Sequence, residues 1–121
     1  MKDIATGVDI EDISRFEKYS SDKNAAFIER IFSTTEIEYC FSCKNPAPHL
    51  AVRFSAKEAV YKALSSLEIN DIQYSDIEIY NANNGVPKVR ILKNGFENYE
   101  FRLSLSHGNG CSLASVIVIK N

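Results

Sequence analysis

The chain has 121 residues, of which 45% are hydrophobic and 25% charged, and it contains only three prolines. These proportions are those of an average globular protein, and they argue against a disordered or fibrous chain. The length predicts one domain covering residues 1–121, because domains commonly span about 100–200 residues.

Fourteen Lys and Arg against sixteen Asp and Glu give a formal charge of −2. This balance argues against a protein that neutralises phosphates along a nucleic acid, so any anion binding must be local. A chain this short has little room to enclose a substrate unless a second subunit supplies part of the wall.

The first third of the chain predicts a strand followed by short helical segments. Residues 4–10 mix β-branched side chains with Gly7 and predict the strand, and a polar-faced helix begins at residues 11–14. A second helical piece carries residues 27–31. The segment Ser33-Thr34-Thr35-Glu36 is typical of a capped helix start. This next helix should end before the prolines at positions 46 and 48.

Residues 49–67 form the clearest helix of the sequence, because they are rich in Ala, Leu, Lys and Glu and contain neither Gly nor Pro. Apolar residues recur at helical spacing and predict one stripe for a core: Ala56, Val60, Ala63, Leu64 and Leu67. The segments 75–80, 86–92, 99–106 and 113–119 are typical of strands, and residues 81–85 of a turn. Helices followed by strands predict an α+β fold in which helices pack on an antiparallel sheet.

The chain contains no apolar run of about 18 residues, which a membrane-spanning helix would need, and the acidic Asp3 is not typical of a signal peptide. We therefore expect a cytoplasmic protein without membrane contact. The three cysteines, Cys40, Cys43 and Cys111, are an odd set that favours a reducing compartment. Cys40 and Cys43 have CxxC spacing, but no second pair completes a zinc site, so no metal is predicted there.

Three segments carry candidate chemistry, and each allows two interpretations. Glu58 and Lys62 lie one helical turn apart. They either form an exposed ion pair, or Glu58 binds a divalent cation and Lys62 binds a phosphate beside it. Asp9 is either the cap of the helix that follows it or a second carboxylate for that cation. His107 precedes a glycine loop and either makes a local hydrogen bond or reaches an anion. The residues alone leave these alternatives open.

Five motifs, in this order and at this spacing, resemble the holo-acyl-carrier-protein synthase family of 4′-phosphopantetheinyl transferases. They are the segments 7–16, 30–36, 50–64, 84–87 and 104–107. The most specific are the GxD strand at Gly7-Val8-Asp9 and the helix Arg53-Phe-Ser-Ala-Lys-Glu-Ala-Val-Tyr-Lys-Ala63, and the NGxP turn and the SxSH strand give weaker support. The resemblance spans nearly the whole chain and implies the 4′-phosphopantetheinyl transferase fold.

The resemblance implies transfer of 4′-phosphopantetheine from coenzyme A to a serine of an apo acyl carrier protein, with release of adenosine 3′,5′-bisphosphate. It implies that Asp9 and Glu58 hold Mg²⁺, that Lys62 contacts the diphosphate, and that these three residues are the catalytic ones. Contacts to coenzyme A are expected from Arg53, Lys57, Lys62, Gly85, Pro87, Ser106 and His107. Docking of the carrier is expected at Arg15, Phe27 and Arg30.

The resemblance also implies a homotrimer whose active sites are shared between neighbouring subunits, which would supply the walls that a short chain lacks. Glu58 is a candidate for the base that removes the serine proton, although a carboxylate committed to a cation needs a bound water to relay that proton. The sequence departs from the family's pattern at residues 108–110, where Gly-Asn-Gly follows His107. A non-catalytic member of the fold that binds coenzyme A or a carrier protein is the alternative function.

Overall fold

The computed structural model describes residues 2–121, which contain three α-helices and five strands. In chain order the elements are β1 (Asp3–Asp12), a 3₁₀ helix (Ile13–Tyr19), α1 (Ala26–Ile31), α2 (Thr34–Ser42), α3 (Pro46–Ser66), a 3₁₀ turn (Tyr74–Asp76), β2 (Ile77–Asn81), β3 (Pro87–Ile91), β4 (Tyr99–Gly108) and β5 (Cys111–Lys120). The α+β prediction is confirmed. No helix among these residues is long and apolar enough to cross a membrane.

The strands form two antiparallel sheets. One sheet has the order β1-β5-β4, with Gly7 opposite Val116 and Ser106 opposite Leu113. The other is the β2–β3 hairpin, whose turn contains Gly85 at a φ of 84°. This left-handed conformation is the one that a residue other than glycine rarely adopts, which explains the glycine of the NGxP turn.

Helix α3 is the central element, and its apolar side chains fill the space against both sheets and the helical layer. The predicted stripe is buried on the sheet side, where Ala56, Val60, Ala63 and Leu64 pack against β1, β2 and β5. The N-terminal half of α3 packs instead on the aromatic and aliphatic side chains of the 3₁₀ helix, α1 and α2. Thirteen of the 21 residues of α3 are buried, so the helix presents only a narrow part of its surface to solvent.

The boundaries of two elements differ from the sequence prediction. Helix α3 begins at Pro46 instead of residue 49, because a proline in the first helical turn lacks only an N–H that the helix would leave unpaired. The first predicted helix is a 3₁₀ helix beginning at Ile13, and Asp12 precedes it as the residue at its N-cap. Asp9 lies three residues earlier, within β1, and so it does not cap this helix.

Gly7 sets the distance between β1 and α3. A Cβ atom at this position would lie 1.9 Å from the carbonyl oxygen of Ala59 and 3.2 Å from the backbone nitrogen of Ala63. The strand therefore lies directly on the helix backbone, which only a residue without a side chain permits. This contact brings the strand residues after Gly7 beside the exposed edge of α3.

Candidate active site

Three carboxylates meet where β1 crosses α3. Asp9 and Glu11 lie two residues apart on β1, so their side chains project from the same face of the strand, and Glu58 comes from α3. One oxygen from each of the three carboxylates lies within 4.8 Å of the other two. The sequence predicted Asp9 and Glu58 at one site, and the structure brings them together.

Lys62 lies at the rim of this cluster. Its Nζ donates hydrogen bonds of 3.0 Å to Oδ1 of Asp9 and to the carbonyl oxygen of Val8. The hydrogen bond to Asp9 raises the pKa of Lys62, so the ammonium stays charged at neutral pH. Lys62 therefore pairs with Asp9 on the neighbouring strand, and half of its side chain remains exposed to a ligand.

Asp9 is 8% exposed, and its Oδ2 atom is buried without a hydrogen-bond partner among residues 2–121. A buried carboxylate oxygen without a donor is costly, since burial removes the water that would otherwise satisfy it. A cation between the carboxylates would supply this partner, and so would the proton of a neutral Glu11, whose pKa is raised in part by a hydrogen bond with Asp9. Carboxylate oxygens are ligands that hard divalent cations such as Mg²⁺ take in proteins.

Glu11 belongs to the cluster but was not among the residues predicted from the sequence. Burial, followed by a hydrogen bond with Asp9 and repulsion from it, raises the pKa of Glu11 to about 7. Nη1 of Arg15 donates a 2.8 Å hydrogen bond to Oε1 of Glu11. The D-x-E spacing at residues 9–11 was the available signal, because alternate residues of a strand share a face.

Tyr74 closes one side of the cluster. Its ring packs on Tyr61 at 5.0 Å and on Phe54 at 6.1 Å between ring centroids. Burial and then interaction with the Glu58 carboxylate raise the pKa of the Tyr74 hydroxyl, which stays protonated and available as a donor. The sequence gave no indication of this aromatic wall.

Arg53, one and a half turns before Glu58 on α3, lines two neighbouring cavities of about 220 and 280 Å³. Its guanidinium carbon lies 4.4 Å from the ring centroid of Tyr39, and Nη1 donates to the carbonyl oxygen of His49 at 3.3 Å. The Nε atom is buried and unpartnered in the described part of the chain. Arg53 is thus held in place by an aromatic ring, and its buried Nε keeps a donor that no described residue uses.

The larger cavity gathers residues from separate elements, since His49 of α3, Asn81 of β2 and His107 of β4 all line it. Burial and the nearby Arg53 charge lower the pKa of His49, so its imidazole is neutral at neutral pH. His107 was predicted to reach an anion, and it shares this cavity with Arg53. His49 and Tyr39 are further lining residues that the motifs did not single out.

Three other residues predicted to contact coenzyme A, Gly85, Pro87 and Ser106, differ in how close they lie to this cavity. Pro87 pairs with Asn81 at the cavity edge, and Gly85 lies in the exposed turn between the two strands. Ser106 is exposed and pairs with Leu113, so its side chain projects from the face of the sheet opposite to that of its neighbour His107. Within one chain, Ser106 is therefore not brought into the cavity of Arg53.

Lys57 was predicted to contact coenzyme A, and this prediction is wrong for this structure. The side chain is completely buried, and Nζ lies 2.7 Å from Oε1 of Glu36. It also donates to the carbonyl oxygens of Tyr74, at 2.9 Å, and of Ile77. Burial lowers the pKa of Lys57 and the Glu36 carboxylate opposes this effect. Lys57 faces the interior because it lies three residues before Val60 and seven before Leu64, in phase with the apolar stripe.

The three residues predicted for carrier docking lie on the 3₁₀ helix and α1. Arg30 is exposed and Phe27 is half-buried. Arg15 is also exposed, and its guanidinium carbon lies over the ring of Phe54 at 5.0 Å and of Phe27 at 5.9 Å. The three residues therefore form a surface with two cations and an aromatic ring, next to the carboxylate cluster through the contact of Arg15 with Glu11.

The arrangement suits phosphate chemistry. Clustered carboxylates can hold a divalent cation, and an exposed ammonium beside them can bind a phosphate oxygen. Arg53 lies five residues before Glu58, about 7.5 Å along the helix axis and about 140° around it, so the cavity of Arg53 and the carboxylate cluster are separate regions of the surface.

Comparison with known proteins agrees with this chemistry. The sequence profile of the 4′-phosphopantetheinyl transferase superfamily matches residues 5–114. The holo-[acyl-carrier-protein] synthase of Geobacter sp. (strain M21) is 41% identical over 119 residues, which cover 93% of this chain and 95% of the relative. The synthase of the same name from Clostridium kluyveri is 39% identical over 118 residues, covering 93% of this chain and 87% of the relative.

Solved structures are similar over the same length. The holo-[acyl-carrier-protein] synthase of Helicobacter pylori, in complex with coenzyme A, has a TM-score of 0.77 and 30% identity, covering 93% of this chain and 98% of that one. The synthase of Bacillus anthracis, in complex with CoA (3′,5′-ADP), has a TM-score of 0.78 and 27% identity, covering 97% and 96%. The chain therefore belongs to the holo-[acyl-carrier-protein] synthase family of the 4′-phosphopantetheinyl transferase superfamily.

Proposed function

We propose that this chain transfers 4′-phosphopantetheine from coenzyme A to a serine of an apo acyl carrier protein, releasing adenosine 3′,5′-bisphosphate. The observation that carries the proposal is the meeting of Asp9, Glu58 and Lys62 at the crossing of β1 and α3. A protein that only bound coenzyme A would not need carboxylates beside the diphosphate, because they repel it unless a cation lies between them.

Asp9 and Glu58 would hold Mg²⁺, which supplies charge neutralisation for the diphosphate when bound. The unpartnered Oδ2 of Asp9 supports this assignment. Lys62 would donate to the phosphate oxygens and stabilise the charge that develops on the leaving phosphate. Its existing bonds to Asp9 and Val8 fix the direction in which the ammonium points.

Glu58 is the candidate base for the serine hydroxyl, through a water that relays the proton. Replacement of Glu58 by Gln keeps the shape of the side chain and removes its charge, and we expect it to abolish transfer. Near-normal activity of this variant would remove Glu58 from both of its proposed roles.

The nucleotide end of coenzyme A would occupy the cavity of Arg53 and His107. Arg53 offers an unpartnered donor there, and the neutral His49 beside it adds a polar contact without a second charge. The turn from Gly85 to Pro87 would lie near the adenine. Ser106 projects from the other sheet face and would contribute to the site of a neighbouring subunit.

A homotrimer is the proposed assembly, and an unusual surface supports it. The outer face of the β1-β5-β4 sheet exposes apolar side chains to solvent: Ile4 (64% exposed), Val8 (56%), Ile10 (62%), Leu113 (41%) and Ile117 (43%). Contiguous apolar patches of this kind mark protein contacts. Ser106 lies on the same face, so association through this surface would bring it to another subunit.

Light scattering after size exclusion tests the assembly. We expect the wild-type chain to have three times the 13.6 kDa mass of one chain. A buried charge is costly, so Ile10→Glu should dissociate the assembly, whereas Lys23→Glu, an exposed change before α1, should not. A fully active wild-type monomer would contradict the shared site.

The docking of an acidic carrier protein is proposed for the surface of Arg15, Phe27 and Arg30. The decisive experiment incubates the protein with coenzyme A, Mg²⁺ and a panel of apo carrier proteins, followed by mass spectrometry of the carriers. Transfer adds the mass of phosphopantetheine to at least one carrier. No mass gain on any carrier, with coenzyme A still bound by the protein, would favour a non-catalytic binding protein.

A further inference from the structure

We propose that Tyr39 is a positioning residue for coenzyme A, because its ring holds the guanidinium of Arg53 in the orientation that binds the nucleotide phosphates. The inference rests on the proposed function for the identity of the ligand in this cavity. Its own content is the role of Tyr39, which acts through Arg53 and not by contact with coenzyme A.

Tyr39 and Arg53 meet because α2 and α3 pack side by side in opposite directions. Residues 43–45 are the whole connection between the two helices, and so short a connection makes them antiparallel neighbours. Glu36 of α2 and Lys57 of α3 form the buried ion pair of 2.7 Å. Three residues after Glu36 on α2 comes Tyr39. Four residues before Lys57 on α3 comes Arg53, so this pair faces across the two helices one turn away from the ion pair.

Two contacts hold the guanidinium of Arg53. Its central carbon lies 4.4 Å from the centroid of the Tyr39 ring, within the roughly 6 Å over which a cation and an aromatic ring attract each other. Nη1 donates to the carbonyl oxygen of His49 at 3.3 Å, which is a long hydrogen bond. Arg53 is only 5% exposed, so water weakens the attraction to the ring little. Without the ring, the guanidinium would keep one long hydrogen bond among residues 2–121.

The ring holds Arg53 without neutralising its charge. None of the ion pairs within residues 2–121 involves Arg53. A carboxylate in the place of Tyr39 would cancel the positive charge and repel a phosphate, whereas an aromatic ring attracts the cation and carries no net charge. Arg53 therefore keeps its whole charge for a phosphate.

Tyr39 is placed at the surface of both cavities that Arg53 lines. Its ring is held on a second side by His49, with 5.7 Å between the ring centroids and 78° between the ring planes. Tyr39 is nevertheless 41% exposed, so its replacement leaves no buried void. A variant at this position can therefore change the orientation of Arg53 while the chain stays folded.

Calorimetric titration with coenzyme A in the presence of Mg²⁺, carried out as a double-mutant cycle of Tyr39 and Arg53, tests the proposal. We expect Tyr39→Leu to raise the Kd for coenzyme A about fivefold to tenfold, the range of a cation–π contact that is largely withdrawn from water. Tyr39→Phe keeps the ring and should stay within about twofold of wild type. In the Arg53→Gln background, Tyr39→Leu should change the Kd less than about twofold, because the guanidinium on which the ring acts is gone.

Tyr99→Leu is the matched control. The ring of Tyr99 also contacts a cation, with Nζ of Lys120 at 5.8 Å from its centroid, but it lies at the end of β4 opposite to His107. This variant should leave the Kd within about twofold of wild type. Circular dichroism at the temperature of the titration establishes that each variant is folded.

Three results would overturn the role of Tyr39. They are wild-type affinity in Tyr39→Leu, a loss in Tyr39→Phe as large as in Tyr39→Leu, and an equal loss on Tyr39→Leu with Arg53 present or replaced. The second would assign the effect to the hydroxyl, and the third would mean that Tyr39 contacts coenzyme A directly. A wild-type chain that binds no coenzyme A would refute the proposed function together with this inference. If the chain binds coenzyme A but modifies no carrier, only the proposed transfer fails, and the cycle still decides the role of Tyr39.

Discussion

The contact of Gly7 with α3 gives a prediction that joins stability to the site. In Gly7→Ala the added Cβ would lie 1.9 Å from the carbonyl oxygen of Ala59, about 1.5 Å short of the 3.4 Å at which ordinary contact begins. No rotamer change relieves this clash, because the contacting atoms belong to the helix backbone. The strand and helix must separate, and overpacking of this kind costs about 1–3 kcal/mol, with the largest values where the surroundings cannot move. We expect a loss of about 3 kcal/mol.

The separation of β1 from α3 in Gly7→Ala would also disturb the candidate site, because Gly7 lies two residues before Asp9. A shift of about 1 Å would break the 3.0 Å hydrogen bond between Asp9 and Lys62 and move Asp9 away from Glu58. Transfer activity should therefore fall more than tenfold even under conditions where the variant is still folded, because misplacement of this size is costly in an active site.

Urea denaturation measures the first effect and the carrier assay the second. Gly108→Ala is the matched control for stability, since an added Cβ there meets nothing within 4 Å. It should change the free energy of unfolding by less than about 1 kcal/mol. The reasoning about the strand–helix contact would be refuted if Gly7→Ala unfolded at the same urea concentration as wild type.

Two further predictions concern the remaining charged side chains. Lys57→Met should lower the free energy of unfolding by about 3–5 kcal/mol, because it leaves Glu36 charged and buried without its cationic partner. Adding Glu36→Gln removes that charge and keeps one acceptor oxygen for the backbone nitrogens of Ser33 and Ile79, so the double variant should recover part of the loss in urea denaturation. A Lys57→Met variant as stable as wild type would contradict the burial of the pair. Arg53→Gln should raise the KM for coenzyme A at least about tenfold and change the KM for the carrier little, because Arg53 is assigned to the nucleotide. Arg30→Gln should raise the KM for the carrier and leave the KM for coenzyme A nearly unchanged. Steady-state kinetics with each substrate varied in turn measures both constants, and an exchange of the two patterns would contradict the assignment.

The parts of the fold that follow local rules could be predicted from the sequence. The capped start of α2 is an example, since the Ser33 hydroxyl accepts from the Glu36 backbone and the Glu36 carboxylate accepts from the Ser33 backbone. The further roles of Glu36 could not be predicted, because its carboxylate also binds Lys57 and the backbone nitrogen of Ile79, which are 21 and 43 residues away. Such contacts depend on how α2, α3 and β2 pack together.

The residues of the candidate site could likewise be predicted only in part. Asp9, Glu58 and Lys62 could be selected because their motifs are specific, and the structure places them together. Glu11 was missed although its spacing from Asp9 already put both on one strand face, and Lys57 was assigned to the substrate because its motif was considered without its position on the helix. A helical projection of α3 would have placed Lys57 on the buried side.

Lys57 and Glu58 are consecutive, and a rotation of about 100° around the helix axis separates their directions. Lys57 binds Glu36 in the interior, and Glu58 lies in the carboxylate cluster. These two contacts together fix the rotation of α3 about its own axis. A single residue inserted between positions 53 and 57 would turn Arg53 by the same angle and remove it from its cavity while leaving the cluster intact. Length changes in homologous chains should therefore be found in the segments 67–73 and 92–98, outside the helix, and be absent from its interior.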